Sequence, residues 1–239
     1  MSRSTPLIQT IGLKKHYQLD KADSPALEGI QLKIFSGERV ALMGPSGSGK
    51  SSLLNLIGCL DLPTAGQILY QDVDTSLMND KKLSAFRNKS MGFIFQSFNL
   101  IPVLSVFENV EYPLLWQNLS SGERKARVAG MLEKVGLASF ARRSPELLSG
   151  GQRQRVAIAR ALAGKPRLVL ADEPTAALDQ KTGRDIMELM TQLNEEEGAT
   201  LVFSTHDPLV AQWAHRIIRL VDGKIVSDPT ETANEQVRP

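Results

Sequence analysis

Short apolar runs alternate with amphipathic stretches along most of the chain. Leu7-Ile8-Gln9-Thr10-Ile11-Gly12-Leu13 predicts a first strand, Lys14-Lys15-His16-Tyr17 follows it, and residues 20–25 predict a polar turn. Residues 26–34 end in apolar/polar alternation, the pattern of a half-buried strand. Ser36-Gly37-Glu38 then turns into Val40-Ala41-Leu42-Met43, a continuous apolar run that predicts a buried strand, and residues 52–57 predict a helix. After the Pro- and Gly-punctuated turn 61–66 come a short strand (67–70), a charged helix (80–87) and a buried strand (91–95) that ends in Gln96. Between about 97 and 164 strand signals stop, and helices are predicted over 106–114, 121–135 and 152–163. Leu168-Val169-Leu170-Ala171 resumes the strands. A helix over 181–196 carries Ile186, Leu189, Met190 and Leu193 at helical spacing, and a strand over 200–204 ends near His206. Residues 217–220 and 224–226 flank Asp222-Gly223, a two-residue hairpin signal.

This order predicts an α/β fold built on a mainly parallel sheet, with an antiparallel β subdomain at the N-terminus and an α-helical subdomain inserted over about 97–164. The folded domain is expected over 7–226, with a polar C-terminal tail over 227–239. A length of 239 residues suits one large domain with an insertion, and 42% hydrophobic and 23% charged residues are ordinary for a globular protein. A formal net charge of +2 argues against a nucleic-acid footprint, which needs a clearly basic surface. A local basic patch stays open, but the run Glu123-Arg124-Lys125-Ala126-Arg127 reads as a solvated helix face. The single cysteine, Cys59, excludes a disulfide framework, points to a reducing cytoplasm and reads as a small core residue. The first residues lack a signal-peptide core, and no run approaches the about 18 apolar residues that span a bilayer. Any work at a membrane is therefore expected to rely on another chain.

The chemistry begins at Gly44-Pro45-Ser46-Gly47-Ser48-Gly49-Lys50-Ser51, between the buried strand and the helix starting at Ser52. Strand, glycine-rich loop, then Lys and Ser at a helix start is the P-loop arrangement. Glycines let backbone amides converge on one anion, and the helix start adds partial positive charge. Lys50 is expected to reach the β- and γ-phosphates, and the Ser51 hydroxyl to ligand Mg²⁺. Three further strands end in polar groups, namely Gln96, Asp172-Glu173 and His206, where open parallel sheets bind ligands. Asp172 is expected to serve Mg²⁺ through water, Glu173 to be the general base, Gln96 to ligand Mg²⁺ and orient water, and His206 to donate to the γ-phosphate. Tyr17 has two readings, an edge-strand aromatic or a stacking face for adenine. Leu148-Ser149-Gly150-Gly151-Gln152 opens another helix and predicts a second anion site, remote in sequence from the first. In a two-fold dimer each such helix start is expected to cover the other chain's γ-phosphate, so that ATP glues the interface and hydrolysis releases it.

This set resembles the nucleotide-binding subunit of ATP-binding-cassette transporters over about residues 7–226. The resemblance identifies the P-loop (44–51), a Q-loop at Gln96, a signature motif at 148–152, and Walker B at 168–172 with Glu173. It also identifies a D-loop at Ala177-Leu178-Asp179, an H-loop at His206, and Tyr17 as the adenine-stacking aromatic. It implies ATP and Mg²⁺ as cofactors, ATP hydrolysis, contacts in trans from Ser149, Gly150, Gly151, Gln152 and Asp179, and a homodimer closing around ATP. Ile57-Gly58-Cys59-Leu60-Asp61, residues 92–102 and Asp207-Pro208 resemble the branch holding macrolide-exporter and lipoprotein-release ATPases (MacB- and LolD-like). That branch implies a separate membrane permease and peripheral attachment at the cytoplasmic face of the inner membrane. Export or lipoprotein release is the expected role. A regulatory, cell-division-like cassette without cargo is the alternative, and a cassette ATPase acting on DNA or ribosomes a more distant one. Two departures stand out: Ser52 replaces the family's usual Thr but keeps the hydroxyl, and Ala176 replaces the branch's common Gly. Phe98, Leu100 and Leu104 are expected either to fill the helical subdomain's core or to line a groove for the permease.

Overall fold

The structure is a computed structural model that describes residues 5–19 and 22–229. Along the chain lie β1 (Ile8–Leu19), β2 (Ala22–Ile34), β3 (Arg39–Met43), α1 (Lys50–Ile57), β4 (Ala65–Tyr70), β5 (Val73–Asp74), α2 (Asp80–Ser90) and β6 (Met91–Ile94). They are followed by α3 (Val106–Glu111), α4 (Ser121–Lys134), α5 (Gly150–Ala163), β7 (Leu168–Ala171), α6 (Gln180–Glu197), β8 (Thr200–Thr205), α7 (Pro208–Ala211), β9 (Arg216–Val221) and β10 (Lys224–Ser227). The described residues form two compact units, one made of those up to Leu83 and from Val202 on, the other of Ser84–Leu201.

The first unit contains an antiparallel sheet in the order β2-β1-β4-β5. Ile8 pairs with Ile34 on one side and Tyr70 on the other, so the apolar faces of three strands align. Leu7, Ile8, Leu13, Leu27, Ile30 and Ile34 are fully buried there. The same unit places β10, β9, β3 and most of β8 side by side in that order. Strand β3 runs parallel to β9, with Val40 opposite Arg216 and Met43 opposite Arg219. Val40, Ala41 and Leu42 have no exposure, which explains why this strand reads as a continuous apolar run. Asp222 and Gly223 take φ of +47° and +72°, the two left-handed residues that the hairpin signal predicts.

Two expectations for this unit are corrected. The polar stretch 20–25 was expected as a turn, but β2 begins at Ala22, and Asp23, Ser24 and Pro25 pair with Gln18, Tyr17 and His16; residues 20 and 21 lie outside the described set. The alternation rule misses this end because polar strands carry no apolar signal, and Pro25 is tolerated because β2 is an edge strand of its sheet. Asp228, expected in a loose tail, is 4% exposed and forms a two-pronged ion pair with Arg216, whose Nε donates to Oδ1 at 2.8 Å. Residues 230–239 of the expected tail lie outside the described set.

In the second unit β6 and β7 run parallel, with Met91 opposite Leu168 and Ile94 opposite Ala171. Between 97 and 164 every regular element is helical. A Cβ on Gly92 would stand 2.3 Å from the Ala161 carbonyl oxygen, so the backbones of α5 and β6 are in contact. The start of α3 is fixed by a capping box between Ser105 and Glu108, and that of α4 by one between Ser120 and Glu123. Helix α3 stops at Glu111, short of the predicted Leu114, and a 3₁₀ turn spans Tyr112–Trp116. Pro113 is the cause: it lacks the amide that would continue the α-helical ladder.

Candidate functional site

Strand β3 delivers the chain to Gly44, where no side chain fits. A Cβ there would stand 2.2 Å from the Leu220 carbonyl oxygen on β9. Gly47 and Gly49 hold φ of +79° and +99°, which favours glycine, and a Cβ on Gly49 would also stand 2.6 Å from the Ala26 carbonyl oxygen. The loop thus rests on β2 and on the β9–β10 hairpin, whose Gly223 amide donates to the Ser48 carbonyl at 3.1 Å. Lys50 is 6% exposed, and its ammonium donates to the carbonyls of Gly44 (2.8 Å) and Pro45 (2.9 Å). The Ser48 hydroxyl is buried and has no hydrogen-bond partner within the protein. A buried hydroxyl in that condition is costly until a ligand or water completes it. No side chain caps the start of α1. A buried cation, an orphan hydroxyl and an uncapped helix start on one glycine loop make a cradle that fits phosphate oxygens.

The same unit brings Tyr17 and Ser52 together. The Tyr17 phenol oxygen lies 3.4 Å from Ser52 Oγ and donates to Asp61 Oδ2 at 3.1 Å. Strand β1 therefore stands Tyr17 beside the helix that starts at Lys50, and the residue is 36% exposed. His206 is exposed and is the first residue after β8, one step nearer the strand end than predicted because β8 runs through Thr205. Its turn is held by Asp207, whose amide donates to Thr205 Oγ1 (3.0 Å) and whose carboxylate caps α7 by accepting from the Leu209 amide (2.8 Å).

In the second unit Gln96 follows β6 and is exposed, and Asp172 and Glu173 follow β7 and are half-buried. The Asp172 amide donates to the Ile94 carbonyl at 2.9 Å, which ties the ends of the two strands together. Glu173 adopts φ +47°, an unfavourable conformation for a non-glycine residue, of the kind that collects at functional sites. Strand alternation therefore ends at Ala171 and does not govern how Asp172 and Glu173 are disposed. Tight turns follow, with Ala176 N donating to Glu173 O (3.1 Å) and Leu178 N to Thr175 O (3.0 Å). They lead to Asp179, which caps α6 by accepting from the Thr182 amide at 3.0 Å. Its hydrogen bonds from Thr182 hold the Asp179 carboxyl below its ordinary range.

Ser149 caps α5, which starts at Gly150, two residues earlier than predicted. Its hydroxyl accepts from the Gln152 amide (3.3 Å), and the Gln152 side chain accepts from the Ser149 amide (3.0 Å). Gly150 and Gly151 pack toward the segment after Glu173: a Cβ on Gly150 would meet Leu178 Cδ2 at 3.3 Å, and one on Gly151 would meet Thr182 Cγ2 at 2.6 Å. Helix α5 also holds the segment after Gln96. Phe98 and Asn99 both take left-handed φ, +63° and +46°, and Arg160 donates to their carbonyls at 2.9 Å and 2.6 Å. The Arg153 guanidinium lies 5.1 Å from the centre of the Phe98 ring. Phe98, Leu100 and Leu104 are all half-buried, between the two readings offered for them.

Several of these contacts were not legible in the sequence. Asp61 and Lys15, which surround Tyr17, stand 46 residues apart and form a 2.7 Å ion pair. Gln154, fully buried on α5, donates to the Pro174 carbonyl at 2.7 Å and so braces the turn after Glu173. A polar residue on the apolar face of a predicted helix is the one signal that marks Gln154 in advance. Among the described residues no cluster of three His, Cys, Asp or Glu side chains is placed to hold a metal. The predicted Mg²⁺ ligands Ser51, Gln96 and Asp172 include a single carboxylate, a donor set that fits an ion held mostly by phosphate and water.

A family model described as ABC transporter matches residues 27–176. The ABC transporter ATP-binding protein YknY of Bacillus subtilis is 50% identical over 220 residues, covering 92% of this chain and 95% of that protein. The macrolide export ATP-binding/permease protein MacB of Syntrophobacter fumaroxidans is 46% identical over 92% of this chain, which spans 31% of that longer protein. Among solved structures, the ATP-binding cassette MJ0796, in a dimeric post-hydrolysis state bound to ADP and Pi, superposes with a TM-score of 0.86 at 47% identity. The match covers 92% of this chain and 97% of that one; the MJ0796 sequence is that of a Methanocaldococcus jannaschii protein.

Proposed function

From the premise that the chain belongs to the ABC transporter family and is one of its ATPases, with that family's cassette fold, we propose that two copies close around two ATP molecules to drive a separate membrane permease. Export or lipoprotein release is the role assigned to that complex; the MacB relatives, whose name joins macrolide export to a permease in one chain, support export. The protein then sits peripherally at the cytoplasmic face of the membrane; among the described residues no helix is long and apolar enough to cross it.

The roles follow from the chemistry of each residue and, for Tyr17 and Asp179, from the family resemblance. Backbone amides of 46–51 and Lys50 hold the β- and γ-phosphates, with the Ser48 hydroxyl finding its missing partner there. Tyr17 stacks the base beside Ser52. Ser51 and Gln96, with Asp172 through water, would hold Mg²⁺, which supplies charge neutralisation at the phosphate oxygens. Water attacks the γ-phosphorus as the bond to the β,γ-bridging oxygen breaks; Glu173 takes the water's proton, and ADP and phosphate leave. His206 donates to the γ-phosphate oxygens. Ser149, Gly150, Gly151, Gln152 and Asp179 serve the ATP of the other copy.

The observation that carries this reading is the second glycine-opened helix start at Ser149, which a small-molecule kinase does not need. Exposed apolar side chains near α3, with Val103 at 87% and Trp116 at 75% exposure, support a permease contact on the second unit. The test is Glu173→Gln. ATP binding is expected to persist, hydrolysis to fall by about 10²–10⁴-fold, and an ATP-dependent dimer to accumulate on size exclusion. Full turnover in that variant removes Glu173 as the base.

A further inference from the structure

Asp61 follows the phosphate helix in sequence, in a segment that folds back on it, and gathers three groups. Its Oδ1 accepts from the Lys15 ammonium at 2.7 Å and from the Leu62 amide at 2.7 Å, and its Oδ2 accepts from the Tyr17 phenol at 3.1 Å. Lys15 is further held by the Leu62 carbonyl at 2.9 Å, and its ammonium lies 4.9 Å from the centre of the Tyr17 ring. One face of the ring is thus backed by a cation that the carboxylate pins in place. The Lys15 side chain is 12% exposed and that of Asp61 31%, so the pair is better shielded than an ordinary surface ion pair. Asp61 is tied back to the helix itself, its amide donating to the Asn55 carbonyl at 3.3 Å. Partial burial works against the charged carboxyl, but the bonds from Lys15, Leu62 and Tyr17 outweigh it and hold its pKa below the ordinary value.

We infer that Asp61 is a positioning residue for the nucleotide's base: it ties the Tyr17 phenol and the Lys15 ammonium to the end of the phosphate helix, so that Lys15 backs one face of the ring and the base stacks on the other. Base platform and phosphate cradle are then both referred to one element, α1: the phenol lies 3.4 Å from Ser52 Oγ near its start and 3.1 Å from Asp61, whose segment folds back to bond the Asn55 carbonyl. A phenol free to rotate would have to be ordered at each binding event; one already tied has lost that freedom beforehand. The cation behind the ring withdraws electron density from it and favours stacking against an electron-rich purine. The inference rests on reading Tyr17 as the base-stacking residue.

The test compares equilibrium affinity of the full chain for ATP and for inorganic tripolyphosphate, which has no base. Tyr17→Ala is expected to weaken ATP by about 10-fold, as the loss of one base–aromatic stack does. Asp61→Asn and Lys15→Met are expected to weaken ATP by roughly 3–5-fold and leave tripolyphosphate unchanged, an effect smaller than loss of the whole stack. Asp61→Glu should recover part of the loss. Adding Asp61→Asn to Tyr17→Ala should cost nothing further, because Asp61 acts through the ring. Equal weakening of ATP and tripolyphosphate by Asp61→Asn makes Asp61 a support of the phosphate loop and overturns the inference. So does unchanged ATP affinity in Asp61→Asn alongside a weakened Tyr17→Ala, which leaves the stacking reading standing. Unchanged ATP affinity in Tyr17→Ala removes both. If Asp61→Asn does not fold, Lys15→Met and Tyr17→Phe, which keeps the ring and loses the phenol bond, decide the question alone.

Discussion

Helix α1 begins behind Gly49, at φ +99°, with no side chain capping it. Helix α5 begins behind Ser149 with a complete capping box, in which Ser149 and Gln152 satisfy each other's amides. Both starts are rich in Gly and Ser, and in the sequence both read as anion sites. The first keeps its hydroxyl at Ser48 buried and without a protein partner, while the second spends its hydroxyl on its own helix. The glycines differ as well. Gly44 and Gly49 are forced by backbone carbonyls of Leu220 and Ala26 behind them. Gly150 faces the Leu178 side chain at 3.3 Å and the Ala177 carbonyl oxygen no nearer than 4.0 Å, and Gly151 faces the Thr182 side chain rather than backbone. The surroundings of the first loop thus account for its glycines by themselves. Those of the second do not account for both of its glycines, which is what a surface completed by another molecule would look like.

The hardest blow to this contrast, or its best support, comes from alanine at the two loops. Gly44→Ala drives a methyl to 2.2 Å from a backbone oxygen, so the loop must move at a cost of about 1–3 kcal/mol, and ATP binding to the single chain is expected to be lost. Gly151→Ala meets Thr182 Cγ2 at 2.6 Å, so the Thr182 side chain must give way, but the contact involves no residue of the phosphate loop, and single-chain ATP affinity is expected to stay within about 2-fold, as for a change away from the binding site. Titration of ATP against both variants at concentrations where the chain is monomeric decides this. Equal loss in both would erase the distinction. A step smaller is Ser149→Arg, which places a long cation at the start of α5. Monomer affinity for ATP is expected to hold while ATP-dependent dimerisation and hydrolysis fall by at least about 10-fold, as for a charge buried at an interface without a partner. A dimer that still forms would count against the contact in trans.

How far these features were legible depends on how local they are. The phosphate loop is one contiguous stretch between a buried strand and a helix, so its residues could be read together, although the β2 and β9–β10 backbone behind it could not. The strand-end residues Gln96, Asp172 and His206 were legible for the same reason: each stands within two residues of the end of a strand, β6, β7 or β8, although β6 stops at Ile94, one residue short of the predicted Phe95. Features that depend on the chain meeting itself were not. Lys15 and Asp61 meet across 46 residues, and Arg160 reaches back 61 and 62 residues to Asn99 and Phe98. The buried Asn109 side chain accepts from the Ile101 amide at 2.8 Å and donates to the Leu104 and Ser105 carbonyls, organising a Pro-containing loop that the pattern leaves blank. The left-handed backbone at Glu173, which tight turns toward Asp179 follow, was equally hidden, because glutamate has no preference for that region. Pro113 was the exception, a local breaker whose effect on α3 the helical spacing overrode.

The smallest effect separates the two jobs given to Ser149. In the single chain its hydroxyl caps α5 at 3.3 Å from the Gln152 amide. Ser149→Ala should therefore cost about 1 kcal/mol of stability, the usual loss for such a cap. For a chain of this size that is a fall of about 2–4 °C in the melting temperature, read by thermal unfolding without nucleotide. Ser149→Asn keeps an acceptor at the cap and should restore most of it. If the hydroxyl also serves the other copy's ATP, hydrolysis should fall further in Ser149→Ala than the stability loss explains, and Ser149→Asn should not restore it in full. If instead both variants track stability alone, Ser149 is a cap and nothing more. The burden of the second site then passes to the amides of Gly150, Gly151 and Gln152, and the contrast with the phosphate loop narrows to one hydroxyl.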